Sequence, residues 1–141
     1  MKDMLEAMIK WSDFLNENNE NDIKDVVKAV LVDEEGKFLL LQRSDNLQWD
    51  LPGGHLKDKE VSTPERGLKR EVREETGFEI DTFSPLFFSV ETRSYYRGEY
   101  PTDQPLVLSS EHVDYKMISE EDLPNYKMRD ETKTAIEKAL R

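Results

Sequence analysis

Apolar residues recur along the chain with two different spacings, and these spacings predict where helices and strands begin and end. Four apolar residues between Met4 and Leu15 follow helical spacing, which predicts an amphipathic N-terminal helix, with a polar linker after it up to residue 22. The β-branched run Val26–Val32, a turn signal at residues 33–36 and an apolar run at residues 38–41 follow. Together they predict a β-hairpin whose second strand is buried.

A charged helix is predicted after a loop at residues 49–54 that contains a proline and two glycines. Thr63 is a favoured N-cap residue and Pro64 suits the first helical position, so the helix is expected to begin there. Gly77 supplies the left-handed C-cap at which such a helix ends.

The remainder of the chain predicts short strands and one closing helix. Strands are predicted at residues 78–88, 90–96, 107–108 and 113–118, with a polar loop at residues 100–105. Apolar residues from Ala135 to Leu140 follow helical spacing, which predicts an amphipathic helix from Asp130 onward. This mixture of strands and helices predicts an α/β or α+β sandwich.

Composition limits the kinds of protein that the chain can be. Its 141 residues suit one domain, and the absence of cysteine excludes disulfides, thiolate metal sites and cysteine nucleophiles. The apolar runs are too short to span a bilayer, and the N-terminus lacks the layout of a signal peptide. A net charge of −11 argues against long nucleic acid or an anionic membrane as partner. A small cytoplasmic domain is therefore expected.

The charged helix carries a group of glutamates with a distinctive spacing. Glu71, Glu74 and Glu75 fall within an arc of roughly 100° on a helix, so their carboxylates are expected to converge. Like charges at this spacing destabilise a helix unless a cation neutralises them. Mg²⁺ or Mn²⁺, each of which prefers oxygen ligands, would neutralise these glutamates. The alternative is a solvated face on which neighbouring arginines and lysines balance the glutamates.

The residues around this helix resemble the signature of the Nudix (MutT-like) hydrolase family. Gly54 is followed after five residues by Glu60, and the run of residues 70–78, from Arg-Glu through Glu-Glu to Gly-Phe, matches the second half of the signature. Nine residues separate Glu60 from Arg70 where the family has seven, which indicates a two-residue insertion before Thr63. The resemblance implies an α/β/α sandwich with a mixed central sheet and the Nudix loop-helix-loop, spanning residues 23–141.

The resemblance also implies a set of site residues and a metal. Mg²⁺, with Mn²⁺ as a substitute, would be bound by helix glutamates, by a glycine carbonyl and by an acid from a later loop. Arg70 would orient the neighbouring glutamates, with a purely structural ion pair as the alternative. The implied catalytic residues are Arg70, Glu71, Glu74 and Glu75, and the implied metal ligands are Gly53, Glu71, Glu74, Glu75 and Glu111.

The reaction implied by the resemblance is hydrolysis of a nucleoside diphosphate linked to another moiety, by water attack at phosphorus. Candidate substrates are (d)NTPs, dinucleoside polyphosphates and ADP-sugars, with capped or triphosphorylated RNA as a further class. The alternative is a catalytically silent Nudix domain that binds a nucleotide or a protein partner. The expected partner is a small nucleotide, and both a monomer and a homodimer remain open.

The sequence gives its least specific evidence for the residues that contact a substrate. Trp49 and Tyr96 carry aromatic rings that can stack on a base, and Arg43 and Arg93 can contact phosphates. Each has an ordinary alternative, since aromatic residues also pack in cores and lone arginines also lie on surfaces. His112 beside Glu111 suggests a general base, because the pKa of histidine lies near neutrality. A solvated loop histidine is the alternative.

Overall fold

The computed structural model describes residues 25–141, in which one mixed β-sheet lies between two helices. The predicted N-terminal helix and linker lie outside the described residues. The strands are β1 (Val26–Val32), β2 (Phe38–Arg43), β3 (Trp49–Asp50), β4 (Gly53–His55), β5 (Ser84–Val90), β6 (Arg93–Glu99) and β7 (His112–Ile118). They are ordered β3-β2-β1-β6-β5, and in addition β4 pairs with β1 and β7 with β2. Strands β1 and β6 run parallel, and the other pairs are antiparallel.

Helices α1 (Pro64–Thr76) and α2 (Asp130–Ala139) cover opposite faces of this sheet. Side chains alternate along β1, so that Leu31 packs in the same core as Leu68 of α1. Its neighbour Val30 packs in the other core with Ile136 of α2. Burial on both faces explains why β1 reads as a continuous apolar run. The predicted α/β/α sandwich with a mixed central sheet is confirmed.

The hairpin and the charged helix are found where the sequence predicts them. Strands β1 and β2 pair antiparallel around the turn that follows Val32. Helix α1 starts at Pro64 and ends at Gly77, whose φ of 79° is left-handed and whose N–H bonds to the carbonyl of Arg73. Glycine adopts this backbone conformation without a steric penalty, which is why the helix ends there.

The strand predicted at residues 78–88 was wrong in its first half, and the strand predicted at residues 107–108 was wrong. Residues 78–83 form no strand, and β5 begins only at Ser84, because Phe78 and Phe83 are anchored in the core beneath α1. Residues 107–108 also form no strand. The N–H groups of Val107 and Ser109 bond to the carbonyls of Thr76 and Glu75, at the end of α1, and not to a sheet neighbour.

The loop predicted at residues 49–54 is also partly wrong, because it contains two short strands. Strand β3 pairs with β2, and β4 pairs with β1, so the chain crosses between two neighbours within a few residues. Pro52 lies between them and has no N–H to donate, but its carbonyl accepts the N–H of Ala29. No helix among residues 25–141 is long and apolar enough to cross a membrane.

Candidate active site

A cavity of about 440 Å³ opens where the start of β1, strand β4, helix α1 and the segment before β7 meet. Two glutamates of α1 line it, together with an acid just before β7, the histidine that begins β7 and the paired glycines of β4. The lining residues on which its chemistry depends are Lys28, Gly53, Gly54, Glu71, Glu75 and Glu111.

The two glycines of β4 let the backbone approach its neighbours closely. Gly53 has a φ of 143°, and an added Cβ would collide with the carbonyl oxygen of Val27. Its N–H donates to the Glu75 carboxylate at 3.0 Å. A Cβ on Gly54 would lie 2.6–2.7 Å from the carboxylate of Glu71. The glycine pair therefore makes room for both carboxylates.

Replacing each glycine by alanine is expected to have a different effect. Gly53→Ala meets the backbone of β1 and has an unfavourable φ, so we expect a loss of about 2 kcal/mol or more in the free energy of unfolding. In Gly54→Ala the atoms nearest to the added Cβ belong to the flexible end of the Glu71 side chain. The free energy of unfolding is therefore expected to change by less than about 1 kcal/mol. Activity is expected to fall, because the Glu71 carboxylate is displaced. Urea denaturation and an activity assay on both variants test this, and equal stability losses would contradict it.

Burial and repulsion act on the two glutamates in the cavity. Glu75 is only 6% exposed. Burial, with repulsion from Glu71 and Glu111, raises its pKa to about 8, although Lys28 and the Gly53 N–H oppose the shift. The pKa of Glu71 is raised chiefly by burial, and further by the charges of Glu74 and Glu111, against the effect of Arg70. The surroundings of both carboxyl groups therefore disfavour the ionised form unless a cation binds nearby.

Glu111 and His112 also line the cavity. Glu111 acts on both helix glutamates through its charge, as its contribution to their raised pKa values indicates. His112 is half-buried, and burial lowers its pKa. Its Nδ1 atom is buried without a hydrogen-bond partner among the described residues.

A buried ion pair joins Lys28, which lines the cavity, to Asp50. Lys28 Nζ lies 2.9 Å from Asp50 Oδ2, and both side chains are less than a tenth exposed. The charge of Lys28 also lowers the pKa of Glu75 and that of His112. Sequence reasoning missed both residues. The signal was present, since a lone lysine within an apolar strand is buried and needs a charged partner.

Arg70 connects Glu60 to the helix glutamates. Its Nε and Nη2 atoms donate to the two oxygens of Glu60 at 2.8 and 2.9 Å, which is the bidentate geometry of a strong pair. This pair lowers the pKa of the buried Glu60 carboxyl to about 2. Nη1 lies 3.1 Å from Glu74 Oε1 and 3.4 Å from Glu71 Oε2. The two-residue insertion therefore leaves the contact between Glu60 and Arg70 intact.

The structure separates Glu74 from the other helix glutamates. Its side chain is 53% exposed, bonds to Arg70 and does not line the cavity. No three acidic or histidine side chains of residues 25–141 are grouped closely enough to form a metal cage. Mg²⁺ needs no such cage, because it is usually held by one or two carboxylates, waters and substrate phosphates. Glu71, Glu75 and Glu111 offer that oxygen donor set around one cavity.

The predicted substrate residues have different surroundings. Arg43 lines the main cavity and a smaller one of about 170 Å³, to which Trp49 also contributes. Trp49 packs edge-to-face against Tyr126, with ring centroids 5.2 Å apart. Tyr96 is 9% exposed and lies in the core beneath α1, lining neither cavity. Its ring is not available to stack on a base, so packing is its role in the structure.

Two further arginines lie at the smaller cavity, of which Arg93 was predicted as a phosphate contact, with a surface arginine as the alternative, and Arg129 was not predicted. Arg93 of β6 lines both cavities, and Arg129 lines the smaller one and pairs with Glu131 at 3.0 Å. Arg129 precedes α2, far along the chain from the glutamate helix, so sequence spacing gave no signal for it.

Comparisons with known proteins agree with this geometry. The model of the NUDIX domain matches residues 22–139, so the chain belongs to the Nudix family, whose hydrolases act on phosphoric anhydride bonds. A MutT-like protein from Streptomyces ambofaciens is 49% identical over 55 residues, which are 39% of this chain and 34% of that protein. The match thus spans about a third of that relative.

Solved structures are similar over most of their length. The MutT protein from Methanosarcina mazei Go1 has a TM-score of 0.64 and 29% identity, with 86% of this chain and 96% of that chain covered. An Ap4A hydrolase from C. elegans, solved as a binary complex, has a TM-score of 0.65 and 23% identity, covering 83% and 94%. The second likeness establishes the fold alone.

Proposed function

We propose that the chain is a Mg²⁺-dependent pyrophosphohydrolase that cleaves a nucleoside diphosphate linked to another moiety, by water attack at phosphorus. The observation that carries this proposal is the pair of helix carboxylates, the partly buried Glu71 and the buried Glu75, which line one cavity with Glu111 and repel one another there. Such an arrangement favours the binding of a hard divalent cation.

Each site residue has a separate part in this proposal. Glu71, Glu75 and Glu111, with the Gly53 carbonyl, would hold Mg²⁺, and Mn²⁺ would substitute for it. When bound, the cation screens phosphate charge and lowers the pKa of an attacking water. Arg70 bonds to Glu74 and approaches Glu71 while it is fixed by Glu60, so it holds the helix glutamates in position. Glu74 is expected to join the metal site through a change of rotamer, since its side chain is exposed.

The smaller cavity is the proposed nucleoside site. Trp49 provides an aromatic surface there, and Arg43 lies where the smaller cavity adjoins the main one. A substrate with its pyrophosphate at the glutamates would thus extend past Arg43 toward Trp49. Arginine suits this place because its planar guanidinium binds phosphate oxygens in pairs.

The experiment is a hydrolysis assay with NTPs, dNTPs, dinucleoside polyphosphates and ADP-ribose, run with Mg²⁺ and with EDTA. The name of the C. elegans structure puts Ap4A among the first compounds to be tested. We expect phosphate or nucleotide release from at least one class, and only with Mg²⁺. A folded protein that binds these nucleotides and hydrolyses none of them would overturn the proposal in favour of a silent binding domain.

A further inference from the structure

A second cavity, of about 610 Å³, lies against another side of α1 and has a different chemistry from the active site. Six of its eight lining residues are basic, one is the carboxylate Glu60 and one is a threonine. The residues that line this basic groove are Lys57, Lys59, Glu60, Thr63, Arg66, Lys69, Arg70 and Arg73. This concentration of positive charge is found on a chain whose net charge is −11.

Most of these charges have no partner within the described part of the chain. Arg70 is engaged by Glu60 and Glu74. The other five basic side chains make no ion pair with any of residues 25–141. Cations gathered at one place repel one another, and an anion that binds between them relieves that repulsion.

The arrangement of the charges favours an extended anion. Arg66, Lys69, Arg70 and Arg73 follow the spacing i, i+3, i+4 and i+7, which puts them on one side of α1 over about 10 Å. Lys57 and Lys59 come from the segment before the helix and line the same groove. The two-residue insertion before Thr63 lies in this same segment and thus contributes to the shape of the groove.

The lining also indicates which part of an anion is recognised. Among residues 25–141 no aromatic side chain lines the basic groove, so this part of the chain offers no surface there on which bases can stack. Lysine and arginine contact phosphate oxygens without reading sequence. We propose that the basic groove is a second binding site of this protein, which holds a chain of linked phosphate groups beside the active site. That chain is either an inorganic oligophosphate or the phosphodiester backbone of a short single-stranded oligonucleotide.

The test measures binding without hydrolysis, so it is independent of the proposed function. Fluorescence anisotropy of a labelled single-stranded RNA of twelve nucleotides is recorded in EDTA at several salt concentrations, with tripolyphosphate as competitor. The groove variant carries Lys59→Glu, Arg66→Glu and Lys69→Glu. The control carries Lys37→Glu, Lys116→Glu and Lys133→Glu, which change net charge equally at other surfaces.

We expect binding by the wild-type protein that weakens as salt rises, and a loss of at least about tenfold in the groove variant. The control should stay within about threefold of wild type, and the groove variant should retain hydrolysis of a mononucleotide substrate. Displacement of the RNA by tripolyphosphate would support an inorganic oligophosphate as ligand, and failure to displace it would support the oligonucleotide. If the wild-type protein binds neither the labelled RNA nor, by isothermal titration calorimetry, tripolyphosphate, or if both variants lose binding equally, the inference is overturned.

Discussion

Glu75→Gln is expected to increase the stability of the protein while it removes metal-dependent hydrolysis. The Glu75 carboxyl is buried, and its pKa of about 8 lies above its usual value of 4.5. A raised pKa means that ionisation costs more in the folded than in the unfolded state, so stability falls as pH rises from 4.5 to about 8. Glutamine has nearly the same shape, keeps an oxygen that accepts the Gly53 N–H and stays neutral over this pH range.

The stability measurement is urea denaturation in EDTA at pH 5 and pH 8. We expect the variant to exceed wild type by at most about 1 kcal/mol at pH 5 and by on the order of 3 kcal/mol at pH 8. Hydrolysis with Mg²⁺ should fall by at least about a hundredfold, since a proposed ligand is lost. Glu121→Gln, on an exposed residue, is the matched control and should leave both quantities unchanged. A variant that is less stable than wild type at pH 8 would contradict this account.

Arg70→Met is expected to cause the largest loss of stability at the site. The variant removes both bonds to Glu60 and leaves that buried carboxylate without its charged partner. Stranding one member of a buried ion pair costs about 3 kcal/mol or more. Activity should fall as well, because Glu71 and Glu74 lose the guanidinium that holds them.

The pH dependence of stability and a double variant distinguish two causes of this loss. One is the Glu60 carboxylate left without its charged partner, and the other is a simple loss of packing. In the wild type the pKa of Glu60 is held at about 2, so its contribution is complete above its usual pKa of 4.5 and is lost as pH falls toward 2. The stability difference between wild type and Arg70→Met should therefore shrink between pH 5 and pH 2. Adding Glu60→Gln to the variant should recover much of the loss at pH 5. A difference that is constant with pH, without recovery, would contradict the assignment.

Local signals were sufficient to predict much of the fold. The hairpin and α1 were predicted because β-branched runs, a turn and a C-cap glycine act over a few residues. The errors at residues 78–83, the first half of the strand predicted at 78–88, and at residues 107–108 have a different cause. These segments are apolar, but Phe78 is anchored in the core and Val107 bonds to the end of α1. Such contacts depend on the tertiary structure, which spacing along the chain does not reveal.

The residues of the site that lie close together in the sequence could also be predicted, whereas those from distant parts of the chain could not. Glu71 and Glu75 lie on one helix, and the geometry of that helix brings them together. Lys28, Asp50 and Arg129 come from three distant parts of the chain, and only the sheet topology brings them to the cavities. The position of Glu74 was also beyond sequence reasoning, because its bond to Arg70 turns it away from the cavity.

The most direct test of the central claim is a titration of the protein with Mn²⁺, with the free ion measured by electron paramagnetic resonance. Wild type and Glu121→Gln are compared with Glu71→Gln and Glu75→Gln in the presence of a non-hydrolysable analogue of a nucleotide that the wild type hydrolyses. We predict binding by the first two and a loss of at least about tenfold in the other two, because the cavity carboxylates hold the cation. Equal Mn²⁺ affinity in all four proteins would contradict the assignment of this cavity as the metal-dependent active site.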